Sequence, residues 1–141
     1  VVEQRPVAYW NDAALLNGRG DVFVPHNPEV AGNLVRLHGP EGRAHEVLTQ
    51  AHWFREQLAV EGLVLARVDL ESRGAWRFWL DSGIEVALGR DHLEARFARF
   101  RKVYRTGLAT QMDQVVRIDA RYSNGVAVQW KDSLVPVQSA P

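Results

Sequence analysis

A chain of 141 residues with 46% apolar and 24% charged side chains has the size and composition of one ordinary globular domain. Seventeen Lys and Arg balance seventeen Asp and Glu, which argues against a surface built wholly to hold nucleic acid. The absence of cysteine excludes disulfides and thiolate metal sites, and no apolar run approaches the roughly 20 residues that a spanning helix needs.

Strands are expected at residues 5–10 and within 15–24, around the turn "NGRGD", followed by a loop "HNPEVAGN" with Pro25 and Pro28 as breakers. Residues 34–38 form a short strand before "GPEG". From 41 to 61 the spacing turns helical: Val47, Leu48, Ala51, Phe54 and Leu58 share one face, and Gly62 is the stop. A second helix opens at Asp91, with Glu94 three residues on as in a capping box, and Leu93, Phe97, Phe100 and Tyr104 make its apolar stripe before Gly107.

Two hairpins can be registered from their faces. With "DSG" as a three-residue loop, Leu80 opposes Ile84, Phe78 opposes Val86 and Trp76 opposes Leu88. With "SNG" as the second loop, Tyr122 opposes Val126, Ala120 opposes Val128 and Ile118 opposes Trp130. The outer face of this last hairpin then carries Arg117, Asp119, Arg121, Gln129 and Lys131. Gly83 and Gly125 stand where such loops take a left-handed residue. The fold class is α+β, an antiparallel sheet built of hairpins with two helices packed on it. The last strand has no successor, which makes it a candidate sheet edge, with Lys131, Asp132 and Pro136 limiting aggregation.

Catalytic signals are weak, and the expectation is a protein that is not an enzyme and holds no cofactor or metal. His45-Glu46 is followed by His52 seven positions on from the first histidine rather than four, two helical turns apart. His26, His38 and His92 lie in loops or at element ends. Arg19-Gly20-Asp21 is the adhesion tripeptide, but Gly and Asp are ordinary turn formers at that place. Residues 90–105 carry Arg90, Arg96, Arg99, Arg101, Lys102 and Arg105, either a solvated face or a surface for anionic lipid. Of the five tryptophans, Trp76 falls on an inner face and Trp79 on an outer one. Trp130 lies at a strand end, where an ordinary core position and a partner-binding aromatic are both open readings.

Four blocks, "EQRPVAYWNDAALLNGRGDVFVP", "LVRLHGPEG", "LDSGIEVALGRD" and "IDARYSNGVAVQW", resemble in order and spacing the periplasmic region of the FtsQ cell-division family. The resemblance implies an FtsQ-type β domain over 8–131, with 1–7 as the end of a POTRA domain or a linker and 132–141 as a flexible tail. The chain starts at Val1 and its one methionine is Met112, so a longer parent is expected, with a transmembrane helix and most of POTRA outside these residues. The family role implied is a non-enzymatic divisome scaffold, the periplasmic part of a bitopic inner-membrane protein at the septum. Its partners would be FtsB, FtsL through the FtsB–FtsL pair, and other divisome proteins, with no nucleic acid. The C-terminal segment of FtsB would add a strand to the last strand of the domain. The implied contact residues are Arg73, Arg121, Tyr122, Asn124, Gly125, Val126, Val128 and Trp130. Asn124 stands where the family has serine, and Arg73 resembles an arginine that pairs with an acidic residue of FtsB.

Overall fold

The computed structural model describes residues 5–24, 34–122 and 124–131. The loop read at 26–33, the tail at 132–141 and the first four residues lie outside the described residues. The described chain forms strands β1 (Pro6–Trp10), β2 (Ala14–Asn17), β3 (Val22–Phe23), β4 (Val35–His38), β5 (Leu65–Leu70), β6 (Trp76–Leu80), β7 (Glu85–Gly89), β8 (Val115–Asp119) and β9 (Ala127–Trp130). Helix α1 (Ala44–Val60) joins β4 to β5, and α2 (Leu93–Thr106) joins β7 to β8 by way of two 3₁₀ turns. All nine strands form one sheet in the order β3-β2-β1-β4-β5-β6-β7-β8-β9.

The fold is α+β, as the sequence reading has it, and hairpins supply most of the sheet. The pairs β1–β4, β4–β5 and β7–β8 are nevertheless parallel. Parallel neighbours need a crossover rather than a tight turn, and the two helices supply it for the latter two pairs. Both crossovers run between parallel strands in the same direction along the sheet, so a common right-handed sense sets both helices on one face. The side chains agree: Phe54 of α1 stacks on Phe97 of α2 at 5.5 Å and 11° between planes. Phe78 of β6 lies against Phe54, Phe97 and Phe100. This aromatic cluster is the centre of the core, with all four rings essentially buried.

Strand β5 is missing from the sequence reading although it lies in the middle of the sheet. Its alternation is short, with Leu65, Val68 and Leu70 buried and Arg67 and Asp69 between them on the other face. Helix α1 buries Val47, Leu48, Ala51, Phe54 and Leu58 as expected, plus Ala44. It begins three residues later than read, because Gly42 takes φ +88° in the preceding turn. It ends as expected at Gly62, whose N–H donates to the Ala59 carbonyl while Leu63 N–H donates to Leu58, a Schellman closure.

Helix α2 departs from the capping-box reading. Its N-cap is His92, in the left-handed region at φ 57°, and no side chain caps the helix. The chain must turn sharply from β7 into α2, with Gly89 at φ +79°, and this path moves the start past Asp91. Phe97 and Phe100 are buried as read, with Leu93 and Tyr104 packed against the core.

The "DSG" hairpin closes with Leu80 N–H donating to Ile84 and Gly83 at φ +95°, and Phe78 faces Val86. Trp76, however, pairs with Gly89 rather than Leu88. The pairing slips between Trp76 and Arg77, so Leu88 is the bulged residue, turned into the core at 0% exposure.

The face away from the helices carries a cross-strand row that traverses the sheet, aromatic and apolar at the β3–β1 end and mostly charged or polar from β4 to β9. Cross-strand partners run Phe23, Leu15, Tyr9, Arg36, Arg67, Trp79, Glu85, Arg117 and Gln129. Arg36 lies over the Tyr9 ring and Arg67 over the Trp79 ring, each 4.7 Å from the centroid. Glu85 takes Arg77 at 2.8 Å and Arg117 at 3.2 Å. Arg36 and Arg67 are thus neighbours of like sign, each set over an aromatic ring, while Glu85 lies between Arg77 and Arg117; the sequence shows these residues only as outward positions of separate strands.

Candidate functional site

The candidate site is the β8–β9 hairpin with the turns beside it. β9 stands last in the strand order, paired with β8. Its apolar residues face the helix side, where Val126, Val128 and Trp130 are partly buried against the core. Ala127 and Gln129 continue the opposite, polar face.

The register differs from the one read from the sequence. Ile118 pairs with Val128, Arg117 with Gln129 and Asp119 with Ala127, and Val115 comes opposite Trp130. Trp130 therefore faces Val115 rather than Ile118, and Ala120 does not pair with Val128. The connection spans residues 120–126 instead of a three-residue "SNG" loop, and Ser123 lies outside the described residues. Gly125 accordingly has no left-handed φ, and a Cβ built there would meet nothing within 4 Å.

The cause of the longer connection is visible in the three residues after β8. Ala120 N–H donates to the Ala87 carbonyl of β7 at 2.8 Å. Arg121 N–H donates to the Asp119 carboxylate at 3.0 Å, and its guanidinium holds both carboxylate oxygens at 2.9 and 2.6 Å. Arg99 of α2 donates to the Tyr122 carbonyl at 2.5 Å. Residues 120–122 are thus held by groups outside β9, and the ladder begins only below them.

Asp119 is among the few buried polar residues, and the hydrogen bonds and charge of Arg121 hold its carboxyl below the usual range against the cost of burial. The same pairing raises Arg121, which also feels Glu71 at the end of β5. Glu71 in turn pairs with Arg77 at 2.7 Å. Next to Glu71, the β5–β6 turn carries Arg73, exposed, at the same end of the sheet as the β8–β9 turn.

The sequence-derived residues thus divide into two groups. Arg121, Tyr122 and Asn124 are exposed positions of one turn, with Tyr122 54% exposed and Gly125 half-buried beside them, and Arg73 belongs to a neighbouring turn. Val126 ends the connection, and Val128 and Trp130 lie along the strand that follows. Sequence reasoning missed Arg99 as a partner of this turn and missed the role of Asp119. For Asp119 a signal was present, a carboxylate two residues before an arginine in an outward strand position; for Arg99 none was, because its partner is a backbone carbonyl 23 residues away.

The other arginines of α2 are also engaged. Arg96 donates to the Leu88 carbonyl at 2.7 Å, and Arg101 reaches Gln57 at 2.6 Å and Glu61 at 3.0 Å. Arg105 also pairs with Glu61. His45 Nδ1–H donates to the Arg19 carbonyl at 3.1 Å and its ring packs over Gly20, which ties the Arg-Gly-Asp turn to α1. Among the described residues no group of three or more His, Asp or Glu could hold a metal, and no helix is long and apolar enough to cross a membrane.

The sequence matches the family model described as "Cell division protein FtsQ/DivIB, C-terminal" over residues 8–121. It is 42% identical over 132 residues to a cell division protein FtsQ of Shewanella oneidensis, covering 93% of this chain and 50% of the relative. It is 38% identical over 130 residues to that of Vibrio cholerae, covering 92% and 50%, and 33% identical over 132 residues to that of Coxiella burnetii, covering 94% and 54%. The chain spans about half the length of these relatives. The family blocks and a sheet that ends in the β8–β9 hairpin belong together: this chain is a member of the FtsQ/DivIB cell-division family and carries its C-terminal domain.

Proposed function

We propose that this domain is a non-enzymatic scaffold of the division machinery that recruits a partner chain by strand addition to β9. The partner expected is the periplasmic C-terminal segment of FtsB, paired with FtsL. The observation that carries the reading is the place of β9: it ends the sheet, with a side-chain face that is apolar toward the helices and polar on the reverse. An incoming strand would continue both faces. Apolar residues on its helix side would meet Val126, Val128 and Trp130, and polar residues would extend the row that ends at Gln129. The open space at Gly125 would admit a backbone at close range. Tyr122 would offer exposed aromatic area at the turn, while Arg73 and Arg121 would favour a segment with a carboxylate at that end. The domain would work in the periplasm, held at the septum by a membrane-spanning helix outside these residues.

Titration of a peptide from the FtsB C-terminal region against the wild type, Tyr122→Ala and Trp130→Ala tests this. Each substitution should weaken binding by about 2 kcal/mol, roughly 30-fold, as expected of aromatic anchors. Unchanged affinity in both folded variants would sink the assignment. A lipid surface made of α2 is the weaker reading, since Arg96, Arg99, Arg101 and Arg105 are turned to partners within the protein. Co-sedimentation with anionic vesicles that falls with added salt would favour it instead.

A further inference from the structure

We propose that Arg99 is a positioning residue for partner binding, holding the β8–β9 turn in a preset shape from the neighbouring helix. This rests on the reading that β9 and its turn take the partner strand. Three consecutive residues leave β8 with their backbones held by three different groups: Ala120 by the β7 carbonyl of Ala87, Arg121 by the Asp119 carboxylate, Tyr122 by Arg99. The β8–β9 ladder itself stops at the Asp119–Ala127 pair. Beyond that pair, residues 120–122 are held by β7, by Asp119 of β8 and by α2.

Arg99 does not act alone on α2. One helical turn earlier, Arg96 donates to the Leu88 carbonyl, and residues three apart share a helix face. The two guanidiniums therefore fasten α2 to the end of β7 and to the partner turn at once. Gly89 lies between Arg96 and the start of the turn: a Cβ there would stand 2.5 Å from Arg96 Nη1 and 3.2 Å from Arg121 Cγ. A charged donor to a backbone carbonyl also outlasts competition from water better than a neutral one. A turn already ordered in the free protein needs less ordering when the partner docks, and so binds more tightly for the same contacts.

The test compares wild type, Arg99→Lys and Arg99→Met by amide hydrogen exchange without partner and by titration with the FtsB-derived peptide. In Arg99→Met the amides around 122–127 should exchange at least tenfold faster, while those of α2 and β5–β7 keep their rates. Affinity should fall about tenfold, with Arg99→Lys between the two because it keeps a charged donor. Unaltered exchange of the turn in Arg99→Met overturns the positioning role, and so does a freed turn with unaltered affinity. Failure of the wild type to bind the peptide at all is a different result: it overturns the strand-addition reading, and exchange still decides whether Arg99 sets the turn.

Discussion

Phe97 of α2 lies stacked on Phe54 of α1, centroids 5.5 Å apart, although the two rings come from separate crossover connections. The contact exists because both helices cover the same face of the sheet over Phe78, which touches each of them. Phe97 is 1% exposed, so its truncation would leave a cavity among rings that cannot all collapse into it. Phe97→Ala should destabilise the domain by about 3–5 kcal/mol, read from the urea midpoint at unchanged slope. A loss under about 1 kcal/mol would mean that the helices do not share this core.

The terminal register makes a second test, simplified by a chain without cysteine. Arg117 and Gln129 are direct cross-strand partners. Antiparallel partners have Cα atoms about 4.5–5.5 Å apart, within disulfide reach, whereas diagonal positions are about 7–8 Å apart. The double variant Arg117→Cys with Gln129→Cys should therefore crosslink under mild oxidation. Asp119→Cys with Gln129→Cys, which the shorter "SNG" loop would bring together, should not. The opposite pattern would restore the three-residue loop.

Gly89 combines a left-handed backbone at φ +79° with no space for a side chain, between Arg96 and Arg121. Gly89→Ala should cost about 1–3 kcal/mol from backbone strain and displace the Arg96 guanidinium. Thermal unfolding measures the cost. The displacement should show as faster exchange at the end of β7, and a variant as stable as wild type would contradict this geometry.

Acid stability should depend on Glu61. The hydrogen bond from Arg105 lowers its pKa most; burial acts against this, and Arg101 lowers it further. A carboxylate depressed in the folded state contributes stability that is complete above its unfolded value of about 4.5 and is lost as pH falls through the folded value. Asp119, depressed by Arg121, acts in the same direction below its ordinary 3.8. The melting temperature of Glu61→Gln should therefore lie below that of the wild type at pH 7, and the two should converge as pH drops below 4.5. A constant gap down to pH 2 would remove Glu61 from the acid transition.

What the sequence determined by itself was which side of each element goes inward. Val47 to Leu58 on α1, Phe97 and Phe100 on α2, and Phe78 with Val86 in the hairpin follow from periods of 3.6 and 2, and burial obeys those periods locally. The last strand was expected at a sheet edge, and β9 stands last in the order of the described strands. Partner and register were decided by the tertiary structure. Sliding β9 by two residues leaves every side chain on its own face, so Ile118 opposite Trp130 and Ile118 opposite Val128 satisfy the same pattern. The choice fell to contacts distant in sequence: Ala87 with Ala120, and Arg99 with Tyr122. The parallel pairs and the place of β5 have the same origin, because a crossover helix can bring together strands that no local signal connects.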